Sequence, residues 1–223
     1  MGEFIKELGR VTAPLLVHLG ITFLAAYVGI TVDMAWGLGV SGDTLLTTLS
    51  ALCSAPILWK MWKRDRLALP SVTKKRQWGS QRKKLLFYLA VFAGGAAASL
   101  SLNFLMVRSG LTEQFSNRVQ ENLFAADLWL QVIGLGIVVP AVEELIFRGL
   151  FYERLREWMP RMWVILCASV VFALYHGNPI QMIYAFPMAL LLHLVYEEGG
   201  SLAAPIAFHM GANLISVIVE YAA

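Results

Sequence analysis

Six polar side chains of types that catalyse hydrolysis lie within stretches of this sequence that are otherwise apolar. They form three groups: Glu143, Glu144 and Arg148; then His176; then His209 and Asn213. Ionisable groups are costly inside a bilayer, and those that occur there usually face the interior of a helix bundle, where they pair or do chemistry. Three such groups in one short chain predict a shared site, and therefore an intramembrane enzyme.

The acidic pair is followed by an arginine at a spacing that selects its partner. Glu144 and Arg148 are four residues apart, which aligns them on one helical face for an ion pair. Glu143 is turned about 100° away from Glu144, so it cannot serve the same face and is left for another task. Pro140 should kink the helix just before the pair. A purely structural cluster would explain Glu144 and Arg148, but it explains Glu143 less well.

The two histidine groups also follow helical spacing. Phe172 and His176 are four residues apart, and so are His209 and Asn213. Each pair therefore projects from one face of its helix. A lone histidine such as His176 would more often be a hydrogen-bonded packing residue, whereas two polar groups on one apolar helix favour a function.

Four other residues are interpreted as structural. His18 and His193 lie in apolar stretches without an acidic or amide partner at helical spacing, although His193 could support the site. Cys53 and Cys167 both lie in apolar runs, and we expect buried, inert thiols without a disulfide.

The elements that must position these residues are membrane helices. Of the 223 residues, 58% are hydrophobic and only 15% are charged, whereas soluble domains have about 25% charged residues. Runs of about 20 apolar residues predict an all-α, polytopic transmembrane bundle. We expect three spans in an N-terminal part, 1–127, and four in a catalytic core, 128–220. The seven spans are 12–32, 44–62, 85–107, 128–151, 162–177, 180–196 and 201–220.

The basic residues indicate the orientation of the bundle. Residues 60–84 hold ten lysines and arginines against one acid, Asp65. Between two spans, such a cluster indicates topology or contact with anionic lipid rather than nucleic acid. The N-terminus and loop 60–84 should therefore be cytoplasmic, as should loop 152–161, with loops 33–43 and 108–127 outside.

The helix rise tests whether the three polar groups can meet. At 1.5 Å per residue, Glu143 and His209 lie roughly 14 and 12 Å from the cytoplasmic ends of their spans, and His176 roughly 21 Å. Within boundary errors of about four residues, the three groups can share one level. The small-residue run from Ala93 to Ser99 further predicts that the third helix packs closely on a neighbour.

In order and spacing, these motifs resemble those of the CPBP family, the CAAX-protease and bacteriocin-processing intramembrane proteases. That family carries Glu-Glu-x-x-x-Arg, Phe-x-x-x-His and His-x-x-x-Asn on successive core helices, which stand here at 143–148, 172–176 and 209–213. The stretch GGSLAAPIAFHMGAN is also similar to the family's last motif helix. The resemblance covers about residues 130–216, and no motif position departs from it.

The resemblance implies peptide-bond hydrolysis inside the membrane. Glu143 would act as general base on a water molecule, assisted by His176. His209 and Asn213 would form the oxyanion site.

The remaining motif residues would support this chemistry. The resemblance implies that Glu144 and Arg148 orient the site and that Phe172 packs behind His176. The expected partners are membrane lipid and a hydrophobic or lipidated peptide substrate, for which a prenylated CAAX tail is one option. Peptide pheromones, bacteriocin leaders and sorting tails are others.

The need for a metal ion stays open at this stage. Glu143, His176 and His209 resemble a zinc-binding set. Their spacing is not His-Glu-x-x-His, however, and asparagine is a poor zinc ligand. A metal-free glutamate mechanism fits these residue types at least as well.

Two other classes of protein compete with the protease. A non-catalytic immunity or scaffold protein of the membrane is disfavoured because every catalytic-type position is present. An ion- or proton-coupled transporter should show inverted repeats, and the sequence has no visible repeat. The small size favours a prokaryotic cell-membrane protein.

Overall fold

The computed structural model describes residues 2–40, 42–68, 71, 73, 76–114 and 118–222. Within these ranges the chain is 87% helical and has no strands, which confirms the all-α class. Lys74 and Lys75 of the basic cluster, and the side chain of Arg118, lie outside the described residues. The helices are α1 (Gly2–Trp36), α2 (Asp43–Ala68), α3 (Gln81–Arg108), α4 (Leu111–Gln114), α5 (Arg118–Phe124), α6 (Leu128–Leu155), α7 (Arg161–Tyr175), α8 (Pro179–Gly199) and α9 (Ala203–Ala222).

Each of the seven predicted spans falls on one helix. Two of them, 162–177 and 201–220, extend two residues beyond their helix at one end. Among the described residues, five helices are long and apolar enough to cross a membrane: α1, α3, α6, α8 and α9. The other two predicted spans lie on α2 and α7. Helix α2 is 26 residues long but carries several threonines and serines, and α7 has only 15 residues. At 1.5 Å per residue, α7 covers about 22 Å of a hydrocarbon core about 30 Å thick.

Helix α6 forms the centre of the bundle. In its most apolar window 61% of the residues are buried, against 17% in α1 and 11% in α3. It packs against α1, α2, α7 and α9. Because α6 carries the acidic pair, the carboxylates lie where the surrounding helices can supply partners.

Helix α6 is not a uniform α-helix. Two π-helical stretches, Gln131–Val138 and Leu145–Tyr152, flank a short α-helical stretch, Val139–Glu144. Such widened turns are rare and frequently mark functional sites. Pro140 is the second residue after the first of them, which ends at Val138. The apolar periodicity of the sequence did not reveal these widened turns.

Helices α3 and α9 pack backbone against backbone through glycines. A Cβ atom on Gly95 would collide with the carbonyl oxygen of Phe208, and one on Gly211 would collide with that of Phe92. This close approach confirms the packing predicted from the small-residue run, and it identifies α9, the helix of His209, as the neighbour. The contact fixes the depth of α9 relative to the rest of the bundle.

The segments predicted to be cytoplasmic meet at one end of the bundle. Arg154 is buried there, with its Nε 2.7 Å from a carboxylate oxygen of Asp65, and it also donates to the backbone carbonyl of Arg10. Arg66 lies 3.7 Å from Glu153. These contacts join the start of α1, the end of α2 and the end of α6, as three segments on the same side of a membrane require.

The two cysteines correct an expectation. Cys53 and Cys167 are both free, as predicted, but they are exposed rather than buried. An apolar run in a membrane helix includes the residues that face lipid as well as those that face the core, so its composition does not distinguish the two.

Replacing Gly95 with alanine should destabilise the protein. The added methyl group forces α3 and α9 apart, and overpacking of this kind costs about 1–3 kcal/mol. Thermal unfolding in detergent measures the effect. Gly94→Ala is the matched control, because a Cβ at Gly94 makes only an ordinary contact, 3.8 Å from the Phe208 ring. Equal stability of the two variants would contradict the close approach.

Candidate active site

His209 lies between the two glutamates of α6. Its Nδ1 is 2.7 Å from Oε1 of Glu144, and its Nε2 is 3.6 Å from Oε2 of Glu143. The sequence correctly places the carboxylates on different faces of their helix. It does not show that one imidazole ring from α9 touches both, one at each ring nitrogen.

Glu144 also forms the predicted ion pair with Arg148, at 3.0 Å between Arg148 Nη1 and Oε1, which confirms the pairing expected from the four-residue spacing. Both side chains are 0% exposed. Because Glu144 accepts hydrogen bonds from the guanidinium, Nδ1 of His209 is the donor in the second contact. Nδ1 of His209 therefore carries a proton, and Nε2 faces Glu143.

Arg148 connects three helices. Its Nη2 donates to the carbonyl of Ala189 in α8, 3.2 Å away. Its guanidinium lies 4.7 Å from the centre of the Phe172 ring in α7, a cation–π contact. The same Ala189 carbonyl accepts from Nδ1 of the fully buried His193, at 2.7 Å.

Phe172 lies among the charged and polar groups of the site. Its ring centre is 4.9 Å from that of His176, 6.0 Å from that of His209 and 4.8 Å from that of Phe147. The ring therefore neighbours both histidines and contacts Arg148 as well. Phe172 is therefore more central to the site than the position behind His176 that the resemblance implies.

His176 caps the end of α7. Its Nδ1 is 2.8 Å from the carbonyl oxygen of Phe172, which can only accept, so Nδ1 carries the proton and Nε2 is left as an acceptor. Gly177 follows with a φ of 68°, a left-handed conformation that turns the chain towards α8. No hydrogen bond joins the described side chains of His176 and Glu143.

Asn213 satisfies a backbone group that Pro140 leaves without a partner. The N–H of Val139 donates to the carbonyl of Gly134, five residues earlier, as in a π-helix. In the same pattern, the carbonyl of Leu135 would accept from the N–H of residue 140. Proline has none. The side-chain Nδ2 of Asn213 fills this place, 2.9 Å from the Leu135 oxygen. One amide hydrogen of Asn213 is therefore engaged, and the other makes no hydrogen bond to the described residues.

The candidate zinc ligands do not assemble into a metal site in the described part of the chain. No three side chains of histidine, cysteine, aspartate or glutamate lie close enough there to hold one ion. Glu143 and His209 approach each other, but His176 is turned to its own helix by the bond to Phe172. The geometry of these donors does not fit a three-ligand zinc centre.

Two residues beside the site were not assigned to it from the sequence. His18 of α1 is buried, with Nδ1 2.7 Å from the hydroxyl of Ser54 in α2 and its ring 6.1 Å from that of Tyr175. The Tyr175 ring lies 6.2 Å from that of His176 and 5.4 Å from that of Phe147. The presence of a histidine inside a membrane helix could have drawn attention to His18. Its partners lie on other helices, however, so spacing within α1 does not reveal them.

These features define a class of protein: a helical membrane protein with carboxylate, imidazole and amide groups gathered inside the bundle. Residues 125–215 match the model of a family described as Rce1-like, type II CAAX prenyl endopeptidase. Together with the three motifs, this match makes the segment 125–215 similar to the CPBP family of intramembrane proteases.

A curated relative shows a similar likeness. The chain is 25% identical over 134 residues to the Bacillus subtilis (strain 168) protein named "Putative membrane peptidase YdiL". The aligned region is 60% of this chain and 53% of that relative, so the chain spans about half of the relative's length. No solved structure matches the chain significantly.

Removing the charge of Arg148 should be strongly destabilising. Arg148→Met leaves Glu144 buried without its counter-ion, which costs about 3–5 kcal/mol. Thermal unfolding in detergent, together with the yield of folded protein, measures this loss. Arg161→Met is the control, because the Arg161–Glu197 ion pair leaves the arginine side chain 48% exposed, where such pairs contribute about 1 kcal/mol or less.

The double variant Glu144→Gln/Arg148→Met sharpens this test. It removes both charges of the pair, so it should be more stable than Arg148→Met alone. A double variant that is less stable than the single one would show that an unpaired charge is not the main cost.

Proposed function

We propose that this protein is an intramembrane endopeptidase that hydrolyses a peptide bond in a hydrophobic or lipidated peptide. The observation that carries the proposal is the placement of His209 between Glu143 and the buried Glu144–Arg148 ion pair. The match of residues 125–215 to a prenyl endopeptidase family supports it.

Glu143 is the general base of the proposed reaction. Its side chain is 12% exposed, whereas that of Glu144 is fully buried and held by Arg148. Glu143 is therefore the carboxylate that a water molecule can reach. It takes a proton from that water as the oxygen attacks the scissile carbonyl carbon. The free Nε2 of His176 accepts the second O–H and orients the water.

His209 stabilises the oxyanion that forms on the carbonyl oxygen. In the proposed reaction His209 carries a proton on each ring nitrogen. Glu144 accepts from Nδ1–H, and the N–H of Nε2, on the side of Glu143, donates to the oxyanion. The free amide hydrogen of Asn213 is the second donor.

The tetrahedral intermediate then collapses. Glu143 returns the proton it took to the nitrogen of the scissile bond, the C–N bond breaks, and an amine and a carboxylic acid leave the site. Glu144, Arg148 and Phe172 take no proton in this scheme. They hold His209 and His176 in place.

The substrate class follows from where the site lies. A peptide with a prenyl group or an apolar tail partitions into the bilayer and can approach α6 from the lipid side. We propose an orientation with the N-terminus and loop 60–84 in the cytoplasm of a prokaryotic cell, and a division into helices 1–127 and a catalytic core 128–220. The meeting of Arg154, Asp65 and Arg10 at one end of the bundle supports the topology.

The substitution Glu143→Gln should abolish cleavage. It keeps the size of the side chain but removes the base, and a general base contributes about 10²- to 10⁴-fold to the rate. Purified protein in detergent is supplied with quenched-fluorescence peptides that end in a farnesylated cysteine and three further residues, and with the same peptides lacking the farnesyl group. Glu220→Gln, at an exposed glutamate near the end of α9, is the matched control.

The outcomes of this experiment separate the hypotheses. Cleavage by Glu143→Gln at the control rate would overturn the role of Glu143. Failure of the wild-type protein to cleave any peptide would favour the non-catalytic alternative. A preference for the farnesylated peptides would establish the prenylated substrate class.

Removal of metal ions should leave the rate unchanged. The three candidate ligands do not converge on one point, and the proposed steps use only protein side chains and water. The protein is dialysed against a chelator, its residual zinc is measured, and its cleavage rate is compared with that of an untreated sample. Loss of activity that added zinc restores would contradict the glutamate mechanism.

A further inference from the structure

His18 comes from the part of the chain that precedes the family match at 125–215. It is 6% exposed and lies on α1, between Ser54 of α2 and Tyr175 of α7. Helices α1 and α2 both pack against α6. The Tyr175 ring lies in turn 6.2 Å from the ring of His176, so one aromatic side chain separates His18 from a histidine of the candidate site.

The contacts of Ser54 determine which nitrogen of His18 carries the proton. The Ser54 hydroxyl donates its single hydrogen to the carbonyl of Ala51, at 3.0 Å. Towards His18, Ser54 can then only accept, so Nδ1 of His18 is the donor of the 2.7 Å bond. In the neutral ring, Nε2 is left with a lone pair.

The free nitrogen of His18 is not sealed inside the protein. Within the described residues, Nε2 of His193 is enclosed without a hydrogen-bond partner, whereas Nε2 of His18 is not enclosed in this way and makes no bond to a side chain. The ring of His18 packs beside Tyr175, whose ring also neighbours those of Phe147 and His176. An unused hydrogen-bond acceptor thus lies next to the aromatic residues around the candidate site.

A peptide in the bilayer must satisfy its backbone N–H groups as well as its carbonyls, because no water replaces a missing partner. His209 and Asn213 supply donors for the carbonyl side, and Glu143 and His176 are occupied with the water. We propose that Nε2 of His18 accepts a hydrogen bond from a backbone N–H of the peptide substrate near the scissile bond. This inference rests on the proposed function, and it assigns substrate binding to α1.

The substitution His18→Asn isolates this role. The asparagine amide can occupy the place of Nδ1 and keep the bond to Ser54, but it has no group at the position of Nε2. Binding of the farnesylated peptide is measured in the Glu143→Gln background, where no cleavage complicates the result. Loss of the acceptor should weaken binding about tenfold. Ser99→Ala is the control, since it removes a buried hydroxyl that contacts Ser216 between α3 and α9.

Methylation of single backbone nitrogens in the peptide provides the decisive comparison. At one position near the scissile bond, N-methylation should weaken peptide binding to the Glu143→Gln protein about tenfold. The same methylation should have a much smaller effect on the protein in which His18 is also replaced by asparagine. If His18→Asn unfolds at a temperature close to that of Ser99→Ala, its fold is retained. His18→Phe, which fills the same space without any acceptor, should repeat the binding loss.

The result is independent of catalysis. Unchanged binding in His18→Asn, or equal N-methylation effects with and without His18, would overturn this inference even if the wild-type protein cleaves the peptide. Binding that depends on His18 in a protein that does not cleave would uphold the inference and overturn the proposed function. Absence of any peptide binding would overturn the substrate role of His18.

Discussion

The buried ion pair between Glu144 and Arg148 is the interaction on which the rest of the site depends. Two fully buried charges must satisfy each other and their remaining hydrogen-bonding groups inside the protein. They do so by drawing on a carbonyl of α8, a ring of α7 and the imidazole of His209 from α9. The need to satisfy one ion pair therefore holds four helices in register, and it sets the orientation of His209.

A second constraint comes from the backbone of α6. A proline inside the helix and a π-helical turn before it leave the Leu135 carbonyl without a partner in its own helix. Asn213 supplies that partner from α9. His209 and Asn213 are one helical turn apart, so α9 is fixed at two successive levels of α6. Its close approach to α3 through Gly95 and Gly211 restricts it from the opposite side.

The sequence predicted those features that depend on spacing within one helix: the helices themselves, the Glu144–Arg148 pair and the small-residue face of α3. It did not identify which side chains meet between helices. Helical spacing states which side chains share a face, but not that His209 touches Glu143 and Glu144 together, nor that Ser54 orients His18. The prediction that Cys53 and Cys167 are buried was wrong for a related reason, because an apolar residue that faces lipid resembles one that faces the core.

The polar residues of α2 connect these observations. Thr44, Thr48, Ser50 and Ser54 are all buried, so α2 turns its hydroxyl face into the bundle and its apolar face outwards. Ser54 holds Nδ1 of His18 by a hydrogen bond. The polar groups of the candidate site lie within the segment that matches the family, whereas α1 and α2, which pack against α6, lie outside it. In the proposed peptidase, substitutions in α1 and α2 should therefore change which peptides bind, while the groups proposed to hydrolyse the bond stay the same.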